Sequence, residues 1–172
     1  MNRLPGVDGD AVTSADGTYR FRVTRTWGDR PHLVWVMTHP RTADAYEDDR
    51  TLRKVQMFSR RWGWGGVVVV NIFAAIVPHA RYLRSHPAPI GAGNDNHILA
   101  AVTDKRSSGV IAAWGNHGLL MGRGDFVEGM LRGRLGAERR LLYRMPGDLT
   151  RLDMPPHPLY FHHESIPVPW KR

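Results

Sequence analysis

Hydrophobic and polar positions alternate along the chain with two periods, and the periods change at glycine- and proline-rich breaks. Residues 19–23, Tyr-Arg-Phe-Arg-Val, alternate as a half-exposed strand does, and residues 33–37, Leu-Val-Trp-Val-Met, form a short apolar run that suits a buried strand. That run stops at Thr38-His39-Pro40. Beyond the acidic pair Asp48 and Asp49, the apolar residues Leu52, Val55, Phe58 and Trp62 recur at helical spacing with Arg53, Lys54, Arg60 and Arg61 between them. This predicts an amphipathic helix whose start is capped by the two aspartates.

A Gly-Trp-Gly-Gly break at 63–66 leads into four consecutive valines, 67–70, which predict a central strand buried on both faces and ending at Asn71. The stretch 78–93 reads as loop with one helical turn near 80–84, and 94–103 as a second helix. Residues 110–113 form another buried strand, ending in Trp114-Gly115-Asn116-His117. A helix at about 126–135, a short strand at 141–143, a proline-rich turn at 155–158 and an extended piece at 159–162 complete the pattern. There is no internal repeat.

Strands that alternate with helices predict a three-layer α/β/α domain around a mostly parallel sheet of about four strands. Ligands of such sheets sit outside the carboxyl ends of the strands. Three predicted strand ends deliver polar groups there: Thr38-His39-Pro40, Asn71, and Asn116-His117, with His157 able to join from a late loop. A length of 172 residues, 42% of them hydrophobic, suffices for one core, so 18–172 is read as a single domain behind a flexible segment 1–17.

Composition narrows the chemistry. The absence of cysteine excludes disulfides, thiolate zinc sites and iron–sulfur clusters, and it suits a reducing cytoplasm. The N-terminal residues lack the apolar core of a secretion signal, and no apolar run approaches the ~20 residues of a membrane span. His157, His162, His163 and Glu164 do not follow a zinc-motif spacing, so no metal is expected, and neither a phosphate-binding glycine loop nor a nucleophile elbow is present. No cofactor is expected. A net charge of +8 favours a polyanionic partner, because each cation set against a phosphate releases a counterion. The bias of arginine over lysine has codon usage of the genome as an alternative source.

The segments Thr38-His39-Pro40-Arg41-Thr42-Ala43-Asp44-Ala45, Arg61-Trp62-Gly63-Trp64-Gly65-Gly66, Val69-Val70-Asn71-Ile72-Phe73-Ala74 and His157-Pro158-Leu159-Tyr160 resemble the bacterial domain-of-unknown-function family 1643, whose hallmark reads N-P-S-T-A-D-A. The likeness spans nearly everything from Tyr19 to His162. Four landmarks also resemble, more distantly, the uracil-DNA glycosylase superfamily: a proline motif after the first strand, Val-Val-Val-Asn71, Trp114-Gly115-Asn116-His117, and His157-Pro158-Leu159. His39 stands where that superfamily carries Asp or Asn, and Leu159 where it carries Ser.

The second resemblance implies a metal-independent DNA glycosylase, a monomer that takes one damaged or modified base out of a double or single strand and leaves an abasic site. Hypermodified phage bases and a role in defence are among the expectations. Asn71 would read the base edge with its donor and acceptor in one plane. His157 would donate to the departing base, and His39 or Asp44 would position water. Thr38, Pro40, Phe73, Asn116 and His117 would line the pocket, and Arg41, Arg53, Arg61, Pro158 and Leu159 would contact DNA. Two other readings stay open: a binding module that has lost catalysis, and a hydrolase of nucleosides. For Asn71 the alternative is a strand-end amide that satisfies loop backbone groups.

Overall fold

The computed structural model describes residues 2–171; Met1 and Arg172, the outer ends of the two predicted segments, lie outside the described residues. In chain order the elements are β1 (Asp8–Thr13), β2 (Arg20–Thr26), β3 (His32–Met37), α1 (Arg50–Arg61), β4 (Gly66–Asn71), α2 (Asn94–Thr103), β5 (Ser107–Ala112), α3 (Arg123–Ala137), β6 (Leu142–Arg144) and β7 (Val168–Pro169). Tight 3-10 turns occupy Ala80–Arg84, Gly115–Gly122 and Pro158–Tyr160.

The strands form one sheet in the order β1-β2-β4-β3-β5-β6-β7. Its middle, β4-β3-β5-β6, is parallel, while β2, β1 and β7 add antiparallel edges. The expected sheet of about four mostly parallel strands is thus corrected to a mixed sheet of seven. The edges carry little signal. β1 reads Asp-Gly-Asp-Ala-Val-Thr with an exposed or half-exposed side chain at every position, so it was expected as part of the flexible start; yet it pairs along its length with β2. β7 is two residues long and ends in Pro169, a residue tolerated at a sheet edge because it has no N–H to give the ladder.

Two apolar layers sandwich the parallel strands. Leu52, Val55 and Phe58 of α1 pack against Trp35, Val67, Val69 and Ile111. On the other face Ile98 and Val102 of α2 and Val127, Leu131 and Leu135 of α3 pack against Val34, Val36, Val68, Val70 and Val110. Alternate residues of each strand therefore serve opposite layers, which is why β3 and β4 read as unbroken apolar runs. Each such branched side chain contributes about 1.5–3 kcal/mol by leaving water. Trp62 stacks on Phe58 and Trp35 at ring separations of 5.1 and 5.9 Å, so it serves this layer.

The aspartate pair before α1 divides its work. The Asp49 carboxylate accepts from the Leu52 N–H at 2.8 Å and caps the helix, as expected. Asp48 does not cap. It is buried, pairs with Arg25 Nε at 2.9 Å and accepts from Gln56 Nε2 at 2.9 Å. α3 begins three residues before the predicted helix and ends two residues after it, because its first turn, Arg-Gly-Asp, carries no apolar period. The extended piece expected at 159–162 is instead a 3-10 turn at its start: Pro158 presets the first helical φ, and the His157 ring accepts from the Leu159 N–H.

Candidate active cleft

Connection direction reverses between β3 and β5. From β3 the chain crosses through α1, on one face, to β4; from β5 it crosses through α3, on the other face, to β6 on the opposite side. Loops diverging in this way open a crevice at the carboxyl ends of the two strands. There lies a cleft of about 540 Å³, within the ~300–1,000 Å³ common for small-molecule sites. The segment after β3 contributes Thr38, His39 and Arg41, the first turn of α1 contributes Thr51, and the loop after β4 contributes His79 and Ala80. Trp114, Gly115, Asn116 and His117 follow β5, and Thr150, His157, Leu159 and Tyr160 close the far side.

Backbone bonds lock these walls together. Thr38 Oγ1 donates to the Trp114 carbonyl at 2.5 Å, joining the ends of β3 and β5. The Gly115 N–H donates to the Pro155 carbonyl at 2.8 Å, fastening the His157 loop to β5. Gly115 has φ +64°, in the left-handed region, and its position lies against the His157 side chain, so the Trp-Gly-Asn-His sequence needs glycine there.

The cleft is rich in imidazole and poor in charge. Desolvation first, then the nearby His117, Arg41, Arg20 and His157, push the His39 pKa down to about 4. Desolvation also takes His157 down to about 4, helped by His117 and opposed by Asp49. Both rings are therefore neutral near pH 7. Nδ1 of His157 accepts from the Leu159 N–H at 3.3 Å, so the neutral ring carries its proton on Nε2 and can donate there. Both ring nitrogens of His39 are buried and have no hydrogen-bond partner among the described residues. None of the described lining residues is a carboxylate, and Arg41 is the one Lys or Arg among them.

The structure brings together Thr38, His39, Arg41, Asn116, His117, His157 and Leu159 from the sequence-predicted set. It leaves out the others. Asn71 is 2% exposed; its Oδ1 accepts from Arg20 at 3.3 Å, and its backbone carbonyl accepts from Asn94 Nδ2 at 2.9 Å. Phe73 is core, and Pro40 and Pro158 are buried outside the lining. The Asp44 carboxylate is exposed and closes a turn by accepting from the Tyr46 and Glu47 N–H groups at 2.7 and 2.8 Å. Desolvation is the largest single effect and raises its pKa, but the two N–H groups together with Arg25 and Arg20 outweigh it, so the carboxyl lies below its usual value. Arg53 donates to the Asn2 carbonyl at 2.6 Å, and Arg61 ends α1 ten residues beyond Thr51, roughly 15 Å along the helix.

Thr51, His79, Thr150 and Tyr160 were missed. A helix that follows a strand starts at the ligand edge of the sheet, so Thr51 was within reach of that rule. His79, Thr150 and Tyr160 sit in irregular segments without a period to place them. Beyond the walls, the exposed Arg81, stacked on Tyr82, lies next to Ala80.

The fold and cleft define an α/β domain with a cleft at the topological switch point of its sheet, walled by imidazoles, hydroxyls and one arginine. Over residues 20–159 the chain matches the family described as "Protein of unknown function (DUF1643)", and it belongs to that family. Comparison with curated proteins and with solved structures gave no match. No helix among the described residues is long and apolar enough to cross a membrane.

Proposed function

We propose that the cleft receives one damaged or modified base of a DNA strand and hydrolyses its bond to the sugar, leaving an abasic site. The observation that carries this reading is His157, a neutral imidazole lining the cleft with its Nε2–H free to donate. When the base–sugar bond breaks, the electron pair leaves with the base, and a neutral donor stabilises that anion without itself giving up a proton. Trp114-Gly115-Asn116-His117 and the His157 loop, which resemble landmarks of uracil-DNA glycosylases and reach the cleft lining, support the same reading, and so does a cleft at the switch point with Arg41 in its lining and Arg81 nearby to meet a phosphate. No metal or cofactor enters this chemistry.

A second reading, a base-binding module without catalysis, is favoured by one observation. Asp44 and Asn71, expected to serve water and base, are both engaged elsewhere. The two readings separate in one assay. DNA carrying uracil, hydroxymethyluracil, hydroxymethylcytosine or its glucosylated form is incubated with the protein and cleaved with alkali at abasic sites. Scission at one modified base, lost in His157→Phe, supports the glycosylase. Salt-sensitive binding without scission at any base supports the binding module.

A further inference from the structure

Beneath the cleft lies a second, much smaller chamber. It has a volume of about 20 Å³ and is lined by Arg20, Asp49, Asn71 and Thr51 among apolar neighbours. Met37 and Thr51 line both it and the cleft, so they form the partition between the two. A cavity needs roughly 10–15 Å³ and two to four polar partners to hold one water molecule. This chamber meets both conditions.

Arg20 is the feature that needs explaining. It is 5% exposed, and burial holds its pKa down to about 10, with Asp49 opposing the shift. Two of its nitrogens donate, one to the Ala43 carbonyl and one to Asn71 Oδ1 at 3.3 Å. Its Nε is buried and has no hydrogen-bond partner among the described residues. The neighbouring Arg25 is also buried, yet it is paired directly with Asp48. No such ion pair is formed by Arg20 among the described residues, although Asp49 lines the same chamber. A buried donor left unsatisfied is costly, more so on a charged group, so Arg20 Nε calls for a bridging acceptor in the chamber.

We infer that Arg20, Asp49 and Asn71 hold one water molecule beneath the cleft and that Asp49 positions it for hydrolysis. This rests on the proposed glycosylase reading and supplies the carboxylate that the cleft walls lack. Arg20 Nε donates to the water oxygen, and the water donates to the Asp49 oxygen that does not cap α1. With substrate bound and the Met37 side chain displaced, the water oxygen bonds to the sugar carbon as the carbon–nitrogen bond breaks. The bonding pair leaves on the base, held by His157 Nε2–H, and the proton released by the water passes to Asp49. The base anion then takes up a proton from solvent and Asp49 returns its own to solvent, so the net change is addition of one water across the carbon–nitrogen bond.

Asp49→Asn tests this cleanly, because Asn caps a helix about as well as Asp and the fold is retained. A crystal structure of the wild-type protein should show one water bonded to Arg20 Nε and Asp49; a direct Arg20–Asp49 contact or an unfilled chamber would overturn the inference while leaving the glycosylase reading standing. On whichever DNA of the panel releases its base, Asn should lower kcat by about 100-fold or more with KM little changed. Unchanged kcat with the water in place would overturn the positioning role alone. Release of no base by the wild-type protein would overturn that role together with the reading beneath it.

Discussion

Removing the charge of Asp48 should cost the fold a large part of its stability. Arg25 and Asp48 are wholly buried, 0% exposed on both sides, and lie 2.9 Å apart. Arg25 also donates to the carbonyls of Asp44 and Glu47 at 2.6 and 3.0 Å, so it holds the segment between β3 and α1 that carries Arg41 and Asp49. In Asp48→Asn the guanidinium keeps its carbonyl partners but loses its counter-charge. Breaking a buried pair from one side costs about 3–5 kcal/mol, a large part of the ~5–15 kcal/mol that stabilises a domain. With a urea m-value of about 2 kcal/mol per M, the unfolding midpoint should fall by roughly 2 M. The double substitution Arg25→Met with Asp48→Leu removes the unpaired charge but also leaves the Asp44 and Glu47 carbonyls and Gln56 Nε2 without these partners, so it should recover only part of that loss. A loss below about 1 kcal/mol in Asp48→Asn, measured by urea unfolding, would refute the claim that this pair organises the segment. It would also place the energy in the carbonyl bonds instead.

Three further outcomes follow from the site. His39 and His157 should stay neutral until about pH 4 by NMR titration of the imidazoles. Since the unfolded chain takes up these protons near pH 6.5, the unfolded state binds more protons between about pH 6.5 and 4; stability should fall as pH drops through that window, and a flat profile there would contradict the burial argument. Gly115→Ala, at φ +64°, should lose about 1 kcal/mol or more in thermal unfolding and disturb the His157 loop; an unchanged Tm would mean that the turn does not need its left-handed residue. Met121, an exposed residue at φ +57°, should behave the opposite way: Met121→Gly relieves the same backbone cost and should gain about 0.5–1 kcal/mol in the same assay, and a loss would show that its side chain holds the loop.

How much the sequence could reveal depended on whether a residue lay inside a period. The valines 67–70 and the run 33–37 placed the parallel strands, and the switch point between β3 and β5 follows from the order of strands and helices. Thr38, His39, Asn116 and His117 end those strands, so the cleft's central wall was legible from strand ends alone. β1 and β7 were not, because an edge strand need not bury a face. Asn71 shows a sharper limit. Its position at the end of β4 was correct, but β4 turns that side chain toward α1, where Arg20 takes it, and one residue of register decides which side of a sheet a side chain serves. Asp44 and Asp49 carried the same ambiguity: both sit before α1 and both suit a turn or a cap. Only the three-dimensional path set Asp49 in the chamber below the cleft and Asp44 out in a surface turn.

If this cleft breaks a base–sugar bond, the free base must appear in solution. The four modified DNAs are incubated separately with the wild-type protein and with His157→Phe, and the small-molecule fraction is analysed by mass spectrometry. One free base, from one of the DNAs, is expected in the wild-type reaction, and at least about 100-fold less with His157→Phe. Free base at equal rates from both proteins would remove His157 from the chemistry, and none from any DNA while the wild-type protein binds it would leave the cleft a binding site without catalysis.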